Sequence, residues 1–418
     1  MASEAQPAPR ALKGGAVWTA GAQVAVAGAG AVVSVIVARA LGPGGAGSFA
    51  LALSLFLMLQ TLGTLGIDLG IIYLVASRRW APRRAWLQSQ GAALALGLAG
   101  AGVGIAARLL APDAFKGLSV ALVIVTVAAL PFALSWIFGA SVALARDAYE
   151  GYALPYVVQA GAMVLGVGVL AALYGLEGAV IGLAASQVVA ALAMGIRSAR
   201  VLDAAEDSPP MLREATRFGF KAYLANALQF VNYRLDLFIL AAVAGASAAG
   251  YYAVAIAITS GMWLLPQALS LLVFPRVAAL SAAGAESEEY REVVEVKSVR
   301  HVSLLMVVSA IVLALLMAVV LTLIYGERFQ PAVELGLILL PGVTLIGIAN
   351  VLSATIVGRG RPELSLYIAL ITTPITIGLY VLLVPWLEGP GAALASSISY
   401  SLNFVLAAFF YGRVTGRA

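Results

Sequence analysis

Residues 40–52 read ALGPGGAGSFALA, and residues 243–255 read VAGASAAGYYAVA. Laid over one another at an offset of 203, the two stretches are identical at five positions, and Phe49 faces Tyr252. The identical pairs are Gly42/Gly245, Ala46/Ala249, Gly47/Gly250, Ala50/Ala253 and Ala52/Ala255. Each stretch reads as a glycine-containing loop that enters an apolar helix, which indicates that one loop-and-helix unit occurs twice in the chain.

The composition indicates a membrane protein. Of the 418 residues, 62% are hydrophobic and 11% are charged, whereas a soluble domain carries about 25% charged residues because its surface faces water. Long apolar stretches separated by short polar ones are typical of polytopic helical membrane proteins, in which each helix satisfies its own backbone hydrogen bonds. The sequence contains no cysteine, which excludes disulfides and thiolate metal sites.

Twelve apolar stretches are each close to the roughly 20 residues that cross a bilayer. The predicted spans are residues 14–38, 47–76, 87–107, 118–144, 152–174, 176–196, 219–244, 247–274, 302–325, 331–356, 364–385 and 390–411. Polar tails, 1–13 and 412–418, flank them. The fold class predicted from this pattern is an all-α polytopic membrane protein.

The distribution of Lys and Arg predicts the orientation of these spans. Twenty of the 25 basic residues fall on one side of the predicted membrane and four on the other, with Arg234 inside a span. Both termini are therefore predicted to lie in the cytoplasm of a cell-membrane protein. The basic excess is explained by this topology, so we expect no nucleic-acid partner.

A second repeat extends the first. LEGAVIGLAAS (176–186) and LEGPGAALASS (387–397) match at an offset of 211, just as the first pair does at 203. The matches occur in chain order, so spans 1–6 map onto spans 7–12. Because six is even, this predicts two parallel six-helix lobes, an N-lobe (14–196) and a C-lobe (219–411), joined by a cytoplasmic linker (197–218). Transporters built this way hold their substrate between the repeats, near the bilayer midplane.

Polar side chains inside the spans are candidate functional residues, because an ionised group at the bilayer centre is costly. Span 7 carries four of them at i, i+3, i+7 and i+10: Asn226, Gln229, Tyr233 and Asp236. On a helix that spacing forms one stripe. The stripe faces either neighbouring helices, through interhelical hydrogen bonds, or a water-filled cleft, and we favour the cleft.

Other polar residues extend this candidate site. Gln23 in span 1 is equivalent to Asn226 at the offset of 203, and Asp68 lies in span 2. Arg234 points away from Asp236 on an ideal helix, so it faces either the cleft or the outer interface. Glu295 ends an acidic run that we expect to be exposed and self-paired in a cytoplasmic loop. The sequence shows no catalytic constellation and no metal-binding cluster, so neither an enzyme nor a cofactor is predicted.

Several motifs resemble those of a known family. VARALGPGGAGSFALALS (37–54) resembles the R-x-L-G-P-x-x-x-G entry of the polysaccharide flippases in the multidrug/oligosaccharidyl-lipid/polysaccharide exporter (MOP) superfamily. YRLDLFILAAVAGASAAGYYAVA (233–255) resembles their seventh-helix segment, and LLVFPRVAALS (271–281) the end of their eighth helix. GRGRPELS (358–365) and GAALASSIS (391–399) are also similar, so the resemblance covers nearly the whole chain.

The resemblance implies a flippase that moves a polyprenyl-linked (phosphate or pyrophosphate) oligosaccharide from the cytoplasmic to the outer leaflet by alternating access. It also implies coupling to an H⁺ or Na⁺ gradient, for which Asp68 and Asp236 are the candidate carboxylates. Span 1 departs from the family pattern because it lacks basic residues, and neutral groups suit sugar hydroxyls. The predicted substrate cavity comprises Gln23, Asn226, Gln229, Tyr233, Arg234, Asn350 and Asn403, with Arg39 and Arg276 as interfacial head-group contacts.

Two alternatives stay open. One is a multidrug or metabolite exporter of the same fold, which would have a cavity closed to lipid and acidic throughout. The other is a membrane scaffold for glycan-assembly proteins that transports nothing. Membrane lipids are expected partners in every case.

Overall fold

The computed structural model of the protein describes residues 9–202, 208–263, 266, 288–361 and 363–416. Every regular element within these ranges is helical. The α-helices are α1 (Pro9–Gly63), α2 (Ile67–Ala76), α3 (Pro82–Leu110), α4 (Val120–Ala128), α5 (Leu130–Ala145), α6 (Tyr149–Val201), α7 (Leu212–Asn232), α8 (Leu235–Ser260), α9 (Glu288–Tyr325), α10 (Pro331–Gly358) and α11 (Glu363–Thr415). Short 3-10 turns occur at Pro112–Phe115, Gly261–Trp263 and Glu327–Phe329.

Several of these helices are too long for one membrane crossing. Within the described ranges, eight helices are long and apolar enough to cross, and two of them have 53 residues. A straight helix of that length would measure about 80 Å, more than twice the roughly 30 Å hydrocarbon core. Each of the longest contains a residue with non-helical backbone angles: Gly42 in α1, Gly175 in α6 and Glu388 in α11. These helices therefore contain two crossings each, as the predicted spans require.

The reversal in α6 can be seen in its contacts. A Cβ added at Gly178 would lie 1.8 Å from the carbonyl oxygen of Leu170, although eight residues of straight helix separate positions by about 12 Å. In α11, Gly391 stands in the same relation to Leu383, at 2.4 Å. The chain therefore folds back on itself in both hairpins, and a glycine allows the two arms to approach closely.

These two hairpins correct the register of the second sequence repeat. Gly175 and Glu388, the turn residues with positive φ, are 213 positions apart, and so are the pairs Gly178/Gly391 and Leu170/Leu383. The match at an offset of 211 aligns the two Leu-Glu-Gly sequences. In α6 this sequence (176–178) follows the turn residue Gly175, whereas in α11 it (387–389) contains the turn residue Glu388. The two hairpins are therefore equivalent in backbone geometry, but the offset that superposes them is 213 residues, two more than the offset of the sequence match.

The first repeat keeps its predicted register. Gly42 has φ 67° and ψ −173°, and Gly245 in α8 has φ 83° and ψ −178°. Both positions require the left-handed region, which glycine enters without steric cost. The same backbone reversal thus occurs at both copies of the loop, 203 residues apart.

The chain divides into two compact units. The first comprises 1–41, 51–112 and 118–224, and the second 42–50, 113–117 and 225–418. The core of the first unit contains Trp80, which is fully buried, and packs α2, α3 and α5 around it. The start of α7 lies against α2, where Tyr73 and Phe218 stack with ring centroids 4.0 Å apart.

The second unit is built around α8, α10 and α11. Gly342 in α10 approaches α11 so closely that its backbone N–H donates to the Ser397 hydroxyl at 2.9 Å, and an added Cβ would lie 2.5 Å from the Ser397 Cα. Many of the side chains along α9 that face away from this core are exposed and apolar, among them Leu315 and Leu323. That arrangement suits a helix whose outer face contacts lipid acyl chains.

The end of the second unit that is predicted to face the cytoplasm holds a buried ion pair. Arg359, at the end of α10, donates to Glu295 of α9 from Nε at 2.8 Å and from Nη2 at 2.6 Å, and the two side chains are 8% and 0% exposed. Arg359 also donates to the Val414 carbonyl at 3.3 Å. The prediction that Glu295 is exposed is therefore wrong, because its partner lies 64 residues away and no local pattern reveals it.

The two loops of the first repeat pack directly on each other within the second unit. A Cβ added at Gly47 would lie 1.8 Å from the Ala246 carbonyl oxygen, and one added at Gly250 would lie 2.0 Å from that of Pro43. Each copy of the motif thus uses its second glycine to admit the backbone of the other copy. The contact is reciprocal because Gly47 and Gly250 are equivalent positions.

Gly47→Ala tests this contact. The new methyl group forces the Ala246 carbonyl aside, so we expect a loss of about 1–3 kcal/mol in the stability of the contact, typical of overpacking. Thermal unfolding in detergent measures the effect, and Gly28→Ala, where an added Cβ meets nothing within 4 Å, is the matched control. Equal unfolding midpoints for the two variants would refute the close approach.

Candidate functional site

Asp236 lies at the centre of a buried polar chain in the second unit. Its Oδ2 accepts a hydrogen bond from the Tyr252 hydroxyl at 2.7 Å, and its Oδ1 accepts one from the Leu237 amide at 2.7 Å. The Tyr252 oxygen lies 2.7 Å from the Ser396 hydroxyl, which in turn lies 2.8 Å from the hydroxyl of Tyr380. All four side chains are essentially excluded from solvent, at 0–1% exposure.

The donor count fixes the direction of this chain while the carboxylate is ionised. An ionised carboxylate only accepts, and each hydroxyl donates one proton. Tyr252 therefore donates to Asp236, Ser396 donates to Tyr252, and Tyr380 donates to Ser396. Every proton points towards the carboxylate, and such aligned bonds polarise and strengthen one another. Protonation of Asp236 at Oδ2 would turn that oxygen from an acceptor into a donor and allow the hydroxyls to reverse, so the direction of the chain depends on the charge of this one group.

Aromatic and cationic side chains adjoin the acid. The rings of Tyr233 and Tyr400 meet edge to face, with centroids 5.6 Å apart. The Arg234 guanidinium lies over the ring of Phe230, 5.6 Å from its centroid. Arg234 thus packs back along the end of α7. Among the described ion pairs there is none between Arg234 and Asp236, so no guanidinium nitrogen lies within 4.0 Å of the carboxylate oxygens.

The helix that carries Asp236 is broken immediately before it. The prediction of one continuous helix over 219–244 is wrong, because α7 ends at Asn232 and α8 begins at Leu235. Asp236 consequently lies in the first turn of a new helix, where the backbone N–H groups favour a carboxylate. The regular stripe from Asn226 to Asp236 is interrupted at Tyr233, and Asp236 points into the polar chain.

Asp68 occupies a similar position in the first unit. The second predicted span breaks at residues 64–66, with positive φ at Leu65 and Gly66, and Asp68 lies in the first turn of α2 after the break. Its Oδ1 is buried and has no hydrogen-bond partner among the described residues. Broken membrane helices whose N-termini face charged groups are a recurring way to build ion and substrate sites.

The other predicted site residues are placed as follows. Gln23 and Arg39 are exposed, Asn350 is half-buried in α10, and Asn403 is buried in α11. The backbones of Asn226 and Gln229 belong to α7, but their side chains lie outside the described residues, as does Arg276.

Sequence reasoning missed three members of the polar chain. Tyr252, Tyr380 and Ser396 carry no charge, and tyrosine and serine are common in membrane helices. Two signals were available: Tyr252 faces Phe49 in the first repeat, and Ser396 lies within the second.

Solved structures with the same fold include two kinds of transporter. The lipid II flippase MurJ in an inward closed conformation superposes with a TM-score of 0.78 at 14% identity, over 93% of this chain and 86% of that one. An inward-facing multidrug resistance MATE family transporter of the MOP superfamily gives 0.75 at 17% identity, over 94% and 95%. A MOP superfamily transporter from Pyrococcus furiosus gives 0.68 at 15% identity, over 97% and 96%.

These similarities confirm the predicted fold class, that of the twelve-helix MOP superfamily transporters. No curated protein sequence matches the chain. A family model does: the one described as polysaccharide biosynthesis protein matches residues 12–280. Since this match covers more than half of the chain, the protein belongs to the polysaccharide biosynthesis protein family.

Proposed function

We propose that the protein is a flippase that moves a polyprenyl-linked (phosphate or pyrophosphate) oligosaccharide from the cytoplasmic leaflet to the outer leaflet. It works by alternating access, and an inward flow of H⁺ or Na⁺ drives it. The observation that carries the proposal is the family match over residues 12–280, because a polytopic membrane protein can serve polysaccharide biosynthesis by carrying lipid-linked sugars across the membrane. The similarity to the lipid II flippase supports the same substrate class.

The chemistry of the candidate cavity residues agrees with a sugar substrate. Gln23, Asn350 and Asn403 are neutral amides that both donate and accept hydrogen bonds, as sugar hydroxyls do. In this proposal the phosphate stays near the interfacial cations Arg39 and Arg276, and the cavity itself handles the glycan.

Ion coupling is assigned to the two carboxylates that follow broken helices. Asp236 is the principal candidate because its charge orients the Tyr252–Ser396–Tyr380 chain, so its neutralisation is communicated to both halves of α11. Asp68 is the second candidate, because its Oδ1, which has no hydrogen-bond partner in the described part of the chain, can receive a cation or a proton. In this proposal both termini lie in the cytoplasm, which the distribution of basic residues supports.

The alternative with a specific observation in its favour is export of drugs or metabolites. The similarity to a multidrug MATE transporter is nearly as high as that to the flippase. The scaffold alternative has no such support, although glycan-assembly proteins remain proposed partners of a flippase.

Reconstitution into liposomes separates these functions. A fluorescent polyprenyl-linked oligosaccharide is added to both leaflets, an ion gradient is imposed, and a membrane-impermeant quencher reports the fraction in each leaflet. We expect the label to accumulate in the leaflet that corresponds to the outer one. Gradient-driven movement of a cationic dye together with an unchanged lipid distribution would instead identify a drug exporter, and no movement of either would support a scaffold.

A further inference from the structure

The loop between α3 and α4 forms a strap on the second unit. Residues Asp113–Gly117 belong to that unit, whereas α3 and α4, which flank them, belong to the first. The Phe115 side chain is buried, at 4% exposure, and its ring centroid lies 5.4 Å from that of Phe238 in α8. Gly117 has φ +90°, and an added Cβ would lie 2.3 Å from the Ser48 Oγ and 2.9 Å from the Ala246 Cβ. The strap therefore contacts both loops of the first repeat.

Lys116 makes the polar contact of this strap. Its Nζ donates to the Ala242 carbonyl at 2.6 Å. Ala242 precedes the backbone reversal at Gly245 by three residues, so its carbonyl belongs to the last turn of that helical segment. Carbonyl oxygens in the last turn of a helix have no backbone N–H four residues further on to accept from. A cation there donates a hydrogen bond to such an oxygen and interacts favourably with the negative end of the helix dipole. Asp113 lies 3.8 Å from the same ammonium group, in an exposed pair.

A second turn repeats this arrangement. Asp113 and Phe115 align with Glu327 and Phe329 at an offset of 214, a third repeat in chain order. Both motifs form 3-10 turns, and Phe329, at 1% exposure, lies against Tyr251 with ring centroids 6.0 Å apart. The buried phenylalanine next to the paired loops is thus a duplicated feature, whereas the lysine that contacts a helix end occurs only in the first copy.

We propose that Lys116 is a positioning residue for transport: through the Ala242 carbonyl it holds the loops 42–50 and 242–250 in their closed contact on the predicted outer side. This inference rests on the proposed alternating-access function, in which these loops separate when the outer side opens. The bond is short, charge-assisted and exposed, so it is strong enough to favour the closed contact and accessible enough to water to be exchanged during a cycle.

The absence of cysteine allows a direct test. A Cβ added at Gly44 would lie 3.4 Å from the Ser247 Oγ, within disulfide reach, so the pair Gly44→Cys and Ser247→Cys reports the closed contact. The rate of oxidative cross-linking is measured in proteoliposomes without substrate, in this background and with Lys116→Gln added. Lys116→Arg is the rescue variant, and Asp113→Asn, which removes only the exposed pair, is the matched control.

We expect Lys116→Gln to slow cross-linking about three- to tenfold, the ratio that one hydrogen bond of this kind supports. Lys116→Arg and Asp113→Asn should cross-link at close to the parent rate, and every variant should still unfold in one cooperative thermal transition. An unchanged rate in Lys116→Gln overturns the inference, and so does a slower rate that Lys116→Arg fails to restore. Because the assay uses no substrate, its failure leaves the flippase assay to decide the proposed function separately.

Discussion

We expect Asp236→Asn to abolish the coupling of transport to the ion gradient while leaving the fold intact. A cation that crosses a potential of 100 mV supplies about 2.3 kcal/mol, which corresponds to roughly a 50-fold difference between the leaflets for each cation that enters per substrate. Asparagine keeps the volume of aspartate and an oxygen that accepts from Tyr252, but it neither carries a charge nor binds a proton near neutral pH. The ratio of labelled lipid in the two leaflets under a 100 mV potential should therefore fall from tens in the unmodified protein to one in Asp236→Asn.

The measurement is the quencher assay in proteoliposomes, with the potential set by a potassium gradient. Asp113→Asn, an exposed acid on the strap, is the control and should retain the parent ratio. Tyr252→Phe keeps the ring but removes the hydroxyl that links Asp236 to Ser396, so it should reduce the ratio without changing the affinity for the lipid. A parent-like ratio in Asp236→Asn would show that this carboxylate does not couple transport.

The second large effect is expected at the buried ion pair between Arg359 and Glu295. Arg359→Ala leaves the Glu295 carboxylate buried, at 0% exposure, without its bidentate partner. Removing one partner of a buried pair costs about 3–5 kcal/mol, because the remaining desolvated charge loses its bidentate hydrogen bonds. Thermal unfolding in detergent should show a loss of several degrees, and the contact between α10 and the end of α11 should loosen, because Arg359 also bonds the Val414 carbonyl.

Arg361→Ala is the matched control for this variant. Arg361 lies two residues further on and pairs with Glu363 at 3.4 Å, but both side chains are largely exposed, so the cost should stay below about 1 kcal/mol. The double variant Arg359→Ala with Glu295→Ala should recover much of the stability, since it removes the buried carboxylate together with its guanidinium partner. Equal losses in Arg359→Ala and Arg361→Ala would show that burial does not determine the strength of the pair.

The two-lobed architecture could be predicted from the sequence because two internal repeats, in the same chain order, indicated that six spans occur twice. Gly42 and Gly245 both have positive φ, which favours glycine, so both copies of the loop carry glycine at this position. A comparison of the two sequences therefore reveals directly that the loops are equivalent. The hairpin turns at Gly175 and Glu388 require the same backbone but do not share a residue type, so the letters aligned two positions away from the geometry. A sequence comparison aligns residue types. It therefore aligns two turns correctly only when both turns carry the same residue, as they do where the turn needs glycine.

The site was harder to predict, for two physical reasons. The breaks before Asp68 and Asp236 lie within stretches that are apolar enough to be predicted as single spans, and no proline marks either one. The polar chain that ends at Asp236 is built from residues 252, 396 and 380, and hydrogen bonds across such separations leave no periodic pattern. What the sequence did indicate was the costly group itself, because a carboxylate inside a membrane span needs a function or a partner.

The most direct test of the account is the direction of lipid movement when the ion gradient is reversed. In proteoliposomes of the unmodified protein, we predict that the fluorescent lipid-linked oligosaccharide accumulates in one leaflet under an inward gradient and in the opposite leaflet when the gradient is inverted. A distribution that stays equal under both gradients, or that ignores their sign, would contradict an ion-driven flippase.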